Sequence, residues 1–404
     1  MQHRGTEGLS GSGKERMRNI QDGRIRLASQ GSAESDGGSG EKRFPLPALL
    51  AVILFFLFWL SLLFTVPVRD FVYSPAWVFV SVRRRLEELY RFLFLGGSPF
   101  GITVWQMLAV VLSGAALSCC GAALKGGFRN VMAGPSTMGV MAGGSLGTLI
   151  YLLLFVSDTA EGTTAVFDAA AYASRNFLDL YGRQLFTLAG CFAGVGFILA
   201  VAFAAGRGRL SAPAMIVSGT VFSVLIQNAS SLIQYFMIVK NPDDPRITAI
   251  RELMMGSFNA ITTGLSVAMM AVPILLCLGL ILLLSPRLDL LALDEAEAVS
   301  LGFPIRRYRL CLVAVSTVLT AVVVSFCGHI GMLGFMVPLL GRKLAGPALR
   351  RQLPVDMLLG AILLVLIFDA ATVAGLSDYL NLFTSGIGSV VMLVLLLSGR
   401  GGGR

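Results

Sequence analysis

LDLLALDEAEAVSLGFPIRRYR, residues 288–309, joins two long apolar runs. The run before it ends at Ser285-Pro286-Arg287, and the run after it leads to GHIGMLGFMVPLLGRKLAG, residues 328–346. Twenty-odd polar residues exceed a tight turn, yet they alternate too often with apolar ones to build a soluble domain of their own. Leu290, Leu291, Leu293, Ala296, Val299 and Leu301 share one side of a short helix, and Asp294, Glu295 and Glu297 share the other. An amphipathic helix between two membrane spans, closed by Arg306 and Arg307, predicts a docking surface for a partner on the cytoplasmic side.

The apolar runs on either side belong to a chain made almost entirely of such runs. Of its 404 residues 55% are hydrophobic and only 14% charged, where soluble domains carry about 25% charged residues. A bilayer core of roughly 30 Å needs about 20 helical residues. Hydrocarbon offers no water to the backbone, so spans are helices or closed barrels, and continuous rather than alternating apolar runs select helices. The fold class predicted is all-α, a polytopic membrane protein of about ten transmembrane helices. The net charge of +9 falls mostly in short connections, which is the signature of topology by the positive-inside rule rather than of nucleic-acid binding.

Residues 1–43 are rich in Gly, Ser and charge and read as a disordered cytoplasmic tail. Within it GLSGSGKE, residues 8–15, approximates a phosphate-binding loop. Glu15 stands where a magnesium-binding hydroxyl is required and no strand precedes the loop, so no nucleotide site is assigned to this chain. A transmembrane domain follows over 44–400. Its spans are predicted near 45–66, 104–124, from the small-residue stretch 126–147 to 156, 184–205, 213–239, 264–284, 310–326, from 331 to Arg342-Lys343, 355–374 and 379–397. The connection 286–309 is cytoplasmic in this scheme, as are both termini. Residues 67–103 would lie outside and carry Arg83, Arg84 and Arg85 in a surface helix. A re-entrant piece ending in MMGSFNA, residues 254–260, is expected.

Few residues invite a chemical role. The span at 213–239 carries Gln227, Asn228, Ser230, Ser231 and Gln234, the most polar face of any. Such a face serves either interhelical hydrogen bonds or the lining of a pathway. Asp369 is a carboxylate inside a span, a functional candidate or a bond to a neighbouring helix. His329 offers either a contact for haem or a metal, or an interface. Cys119, Cys120, Cys191, Cys277, Cys311 and Cys327 all lie in apolar stretches without CxxC spacing. They read as packing residues, and no metal site is assigned. Met254, Met255, Met269 and Met270 read likewise. Paired carboxylates, a His cluster or a nucleophile–base spacing, which a membrane-embedded enzyme would need, are not evident.

Four blocks, in order, carry a resemblance. GAALSCCGAALKGGFRNVMAGPSTMG, residues 114–139, contains Gly121, Arg129, Asn130, Pro135 and Gly139. Met255-Gly256-Ser257 is the second block. LDEAEAVSLG, residues 293–302, is the third and includes Ala296, Ala298, Leu301 and Gly302. GHIGMLGFMVPLLGR, residues 328–342, is the fourth and includes Gly328, Gly334, Pro338 and Arg342. The chain resembles the FecCD-type permease subunits of ABC importers for iron-siderophores, haem and cobalamin, over about residues 104–397.

The resemblance implies a type II ABC importer permease in the bacterial inner membrane, surrounded by lipid, with no cofactor of its own. It implies a second permease copy, identical or closely related, and two ATPase subunits that bind ATP and magnesium and grip Leu291, Leu293, Asp294, Glu295, Ala296, Ala298, Leu301, Gly302, Arg306 and Arg307. An extracytoplasmic solute-binding protein would deliver an iron chelate, haem or cobalamin-type ligand. The candidate path runs past Gln227, Asn228, Ser231, Gln234, Gly328 and His329. The family's R-x-P-R before the second span is replaced here around Thr103, Trp105 and Gln106, so Arg83, Arg84 and Arg85 are expected to meet the binding protein instead. Leu339 stands for the family's His, and Asp378 opens a stretch that differs from its E-x-P-x-G. An ion-coupled secondary carrier is the alternative reading. It would take up solute without an ATPase and would place more ionisable groups in its spans.

Overall fold

The computed structural model describes residues 46–64, 100–155, 177–205, 212–242, 244–288, 305–346 and 348–399. The connection 289–304 and the stretch holding Arg83, Arg84 and Arg85 lie outside the described residues, so neither the proposed docking helix nor the proposed surface helix is described. Among the described residues regular structure is helical throughout: α1 (Leu46–Phe64), α2 (Phe100–Phe128), α3 (Val140–Phe155), α4 (Phe177–Ala205), α5 (Ala212–Lys240) and α6 (Pro245–Met255), then α7 (Gly264–Leu288), α8 (Ile305–Cys327), α9 (Leu333–Ala345), α10 (Leu349–Val373), a 3₁₀ turn (Ser377–Tyr379) and α11 (Leu380–Gly399).

Six of these helices, α2, α4, α5, α7, α8 and α10, are long and apolar enough to cross a membrane; α1 and α3 are shorter apolar helices. The 13 residues of α9 rise about 20 Å, less than a bilayer core. The predicted eighth span is therefore a helix of about two thirds of the core's thickness.

At the centre of the described bundle stands α2. In its most apolar window 83% of residues are buried, against 6% for α5. Small residues make this possible. Gly114 meets Gly360 of α10, where a methyl group would come within 2.5 Å of the Gly360 carbonyl oxygen. Gly121 faces Gly334 at the start of α9, where an added Cβ would collide with the Gly334 carbonyl. A second such crossing joins α3 and α4, where Gly143 and Gly147 face Gly190 and Gly194. Without a hydrophobic drive between helices in lipid, close backbone approach is what associates them. The stretch 126–147 supplies one side of the α3–α4 crossing.

Several polar groups of the interior tie neighbouring helices together. Ser61 of α1 donates to the Asp369 carboxylate of α10, so Asp369 serves as an interhelical bond. Thr148 and Thr187 join α3 to α4 at 2.5 Å. Cys119, Cys120, Cys191 and Cys327 are buried and all six cysteines are free thiols.

Candidate functional site

The sequence-nominated residues divide among three places. The first is the junction of α6, α8 and α11. Asp244 caps α6, accepting from Arg246 N, and Pro245 follows at the first helical position, where a missing N–H costs nothing. The helix stops at Gly256, with φ 70°, and α8 stops at Gly328, with φ 71°. Both glycines are needed. A side chain at Gly256 would meet the His329 carbonyl oxygen at 2.6 Å, and one at Gly328 the Glu252 carbonyl oxygen at 2.8 Å. The backbones interlock: Ser257 N donates to Cys327 O at 2.9 Å, His329 N to Leu253 O at 2.8 Å and Leu380 N to Gly256 O at 3.2 Å.

Asn381, which the motifs do not mark, closes this junction. Its carbonyl oxygen accepts from Gly331 N at 2.9 Å and from Ser385 Oγ at 3.1 Å, and its amide donates to Met254 O at 3.3 Å. A polar side chain in the first turn of an apolar span was the available signal. Burial pushes the His329 imidazole down to about 4, so it is neutral at physiological pH. Burial likewise raises the Glu252 carboxyl. Among the described residues no group of three or more His, Cys, Asp or Glu side chains could hold a metal ion.

The second place is α5. Gln227, Asn228 and Ser231 are exposed along it, and Gln234 is half-buried with its amide 3.5 Å from Ile247 O. No described hydrogen bond joins Gln227, Asn228 or Gln234 to Gly328 or His329, so the nominated path residues form two groups. Large apolar side chains, among them Val224, Leu225 and Phe236, are exposed on the same helix. An exposed helix with a polar stripe between apolar flanks is suited to a second subunit or an aqueous seam.

The third place is the opposite end of α2, where most of the motif residues converge. The helix ends through Arg129, whose φ is 50°. Asn130 then folds an Asx turn, its side chain accepting from Met132 N at 2.9 Å. Pro135 lies against Gly334, and Pro338 O of α9 accepts from Gln352 Nε2 at 2.9 Å. Gln352 also donates to Asp356 Oδ2 at 2.9 Å. Lys125 donates to Phe335 O, with its ammonium 4.4 Å above the Phe335 ring. Gly139 stands apart, at the start of α3 against Ile198 of α4 and Phe222 of α5.

Gln352 and the fully buried Asp356 escaped the sequence reading, and Lys125 entered it only as the basic end of the second span. The rule that flags Asp369 applies equally to Asp356. The flanks of the undescribed connection reach this same end. Arg309 Nε of α8 donates to Gly127 O at 3.0 Å, and Arg287 of α7 lies 3.5 Å from Tyr308 Oη. Arg307 is exposed in the first turn of α8.

Comparison with known proteins bears on what such a bundle does. The chain is 31% identical over 307 residues to the molybdate import system permease MolB of Haemophilus influenzae, covering 75% of this chain and 82% of that one. It is 30% identical over 313 residues to an ABC transporter permease of Methanocaldococcus jannaschii, covering 75% and 83%. It is 28% identical over 286 residues to the cobalamin import permease of Halobacterium salinarum, covering 70% and 69%. A solved ABC transporter of metal-chelate type, facing inward, matches with a TM-score of 0.63 at 25% identity, over 87% of this chain and 99% of that one. The family model of the FecCD transport family matches residues 53–398. The chain therefore belongs to the FecCD transport family and is a permease subunit of an ABC importer.

Proposed function

We propose that this permease moves a metal chelate, haem or cobalamin-type ligand across the bacterial inner membrane. It acts with a second permease copy, two ATPase subunits carrying ATP and magnesium, and an extracytoplasmic binding protein. Both termini lie in the cytoplasm, and Arg83, Arg84 and Arg85 meet the binding protein. The observation that carries this reading is the pairing of the family match with α5, a membrane-length helix left open along its polar stripe. Gln227, Asn228, Ser231 and Gln234 would then line a seam between two permeases, and Gly328 and His329 would sit beside its outer end. The ATPases would grip the segment 291–302 together with Arg306 and Arg307. Arg309, bonded to the end of α2, would carry their movement into the helix that most of the bundle contacts.

The permease itself supplies no reacting groups. ATP closure would move the connection, and the glycine crossings would let packed helices slide without breaking backbone hydrogen bonds.

A second cargo reading follows from the relative named for molybdate import, which makes an oxyanion a candidate. Uptake of labelled haem, ferric chelate, cobalamin and molybdate in a deletion strain, with and without the restored gene, separates the cargoes. Uptake that persists without an ATPase would point to the ion-coupled carrier instead. Replacing Leu293 and Leu301 together by Asp should abolish co-purification of the ATPase; an intact complex would overturn the assigned grip.

A further inference from the structure

A cavity of about 550 Å³ opens on the side of the bundle, with α8 as its floor and α4 and α7 as its walls. Leu188, Met269, Val272, Val318 and Phe326 make it apolar, and among the described residues no ionisable side chain lines it. Polarity is confined to one end. Gln184 and Ser325 lie two residues inside the limits of their spans, Gly182 and Cys327, whereas Pro273 and Val318 lie nine residues inside theirs, Gly264 and Cys327. At 1.5 Å per residue the polar end sits about 3 Å, and the apolar end about 14 Å, from the edge of the spans. Ser325 Oγ already donates to Val322 O at 2.8 Å. The Gln184 carbonyl oxygen is buried and accepts no hydrogen bond from any described residue. A polar group so placed in a span ordinarily bonds a neighbouring helix, and leaving it bare is destabilising. Deeper in the α7 wall, the Pro273 ring removes the N–H that would reach Met269 O. An occupant must therefore bring a hydrogen-bond donor to the shallow end and an apolar body below it.

We infer that this cavity holds a neutral lipid with a free hydroxyl where its chains join, a diacylglycerol, whose hydroxyl donates to Gln184 Oε1. The lining selects a neutral head, because an ammonium or a phosphate here would be buried without a counter-charge. The surroundings select acyl chains. The cavity opens sideways between membrane-length helices, and Leu185 and Val272 at its rim are 44% and 59% exposed. One chain fills the cavity and the other runs over that rim. The second permease copy proposed above sits along α5, none of whose residues line this cavity, so lipid rather than protein faces it. The site needs only the membrane bundle and is independent of the cargo.

The test uses the whole transporter, permease with its ATPase, in phosphatidylcholine vesicles holding a diacylglycerol with a photoreactive diazirine on one chain. Illumination, digestion and mass spectrometry locate the adducts. They are expected on α4, α7 and α8 around Leu188, Val272 and Val318. Unlabelled diacylglycerol should compete about fivefold better than its methyl ether, which has the same chains and no donor. In Gln184→Leu that difference should vanish while weaker labelling persists. Val272→Phe and Val318→Phe, which narrow the cavity, should cut the labelling itself; because Val272 is exposed, its variant carries the test if the Val318 variant fails to fold. Leu283→Ala, 80% exposed on α7 and outside the cavity lining, should change nothing. The inference is overturned if adducts scatter evenly over the exposed helices, if the methyl ether competes as well as diacylglycerol, or if Gln184→Leu keeps the difference. It is also overturned if the cavity goes unlabelled, which is the outcome when a second copy of the chain covers it.

Discussion

Replacing Gly334 by Ala tests whether close approach of α9 to α2 holds the motif end together. An added Cβ at Gly334 would lie 2.7 Å from Leu117 O of α2 and 3.1 Å from Pro135 Cγ. Ordinary contact begins at 3.4 Å, so α9 must retreat by about 0.7 Å. Neither neighbour yields easily: one is helix backbone, the other a proline ring that begins the turn into α3. Overpacking of this kind costs about 1–3 kcal/mol. Gly279→Ala in α7 is the control, because nothing lies within 4 Å of its added methyl. There the change should be neutral, or stabilising by up to about 1 kcal/mol from helix propensity. Chemical unfolding of both purified variants in one detergent gives the comparison. Retreat of α9 also draws Phe335 O from the Lys125 ammonium, so hydrogen exchange in α9 should rise in Gly334→Ala alone. Equal stability of the two variants would refute the claim that backbone proximity, rather than apolar area, joins these helices.

Gly328→Ala combines a left-handed backbone with a clash at Glu252 O; it should cost at least about 1–2 kcal/mol and deprotect α6 in hydrogen exchange. Asp244→Ala removes the α6 cap, a loss of about 1 kcal/mol seen first as fraying of residues 245–248. Ser61→Ala should destabilise α1, whereas Ser61→Ala added to Asp369→Ala should cost little beyond Asp369→Ala alone, since both remove one bond; a thermal-melt double-mutant cycle reads the coupling. His329 predicts a pH dependence. Its folded value lies near 4, below the ordinary 6.5, so the unfolded chain binds the proton first and stability falls as pH drops from 6.5 toward 4. The loss reaches up to about 2 kcal/mol by pH 5, and denaturant midpoints of His329→Asn across that range should show a shallower slope.

Helical class, most span positions and the family were readable from residue order, because each depends on local features. Long apolar runs require helices in hydrocarbon, and Gly256 marks where α6 must stop. The motif glycines were visible as letters, but their partners were not. That Gly121 lies on Gly334 depends on how α2 and α9 cross, which residue spacing within either helix does not encode. Asn381 was passed over because it sits in a stretch that departs from the family pattern, yet it joins three segments. Asp356 was passed over because it falls beside the predicted start of a span, where a charge needs no explanation until burial is known.

The short α9 shows the same division. Its apolar composition runs through the motif from Gly331 to Arg342-Lys343, so the sequence already bounds a short segment there. What tertiary structure adds is how this helix of 13 residues packs against α2 and α10, with Gln352 donating to the Pro338 carbonyl.

Taken alone, the sequence determined that this chain is a bundle of membrane helices of a known permease family, since hydrocarbon leaves the backbone no other choice. The tertiary structure alone decided which faces meet, which stay open along α5, and how α4, α7 and α8 enclose one cavity beside Gln184. Those outcomes depend on distances between residues far apart in the chain, and only the packed bundle sets them.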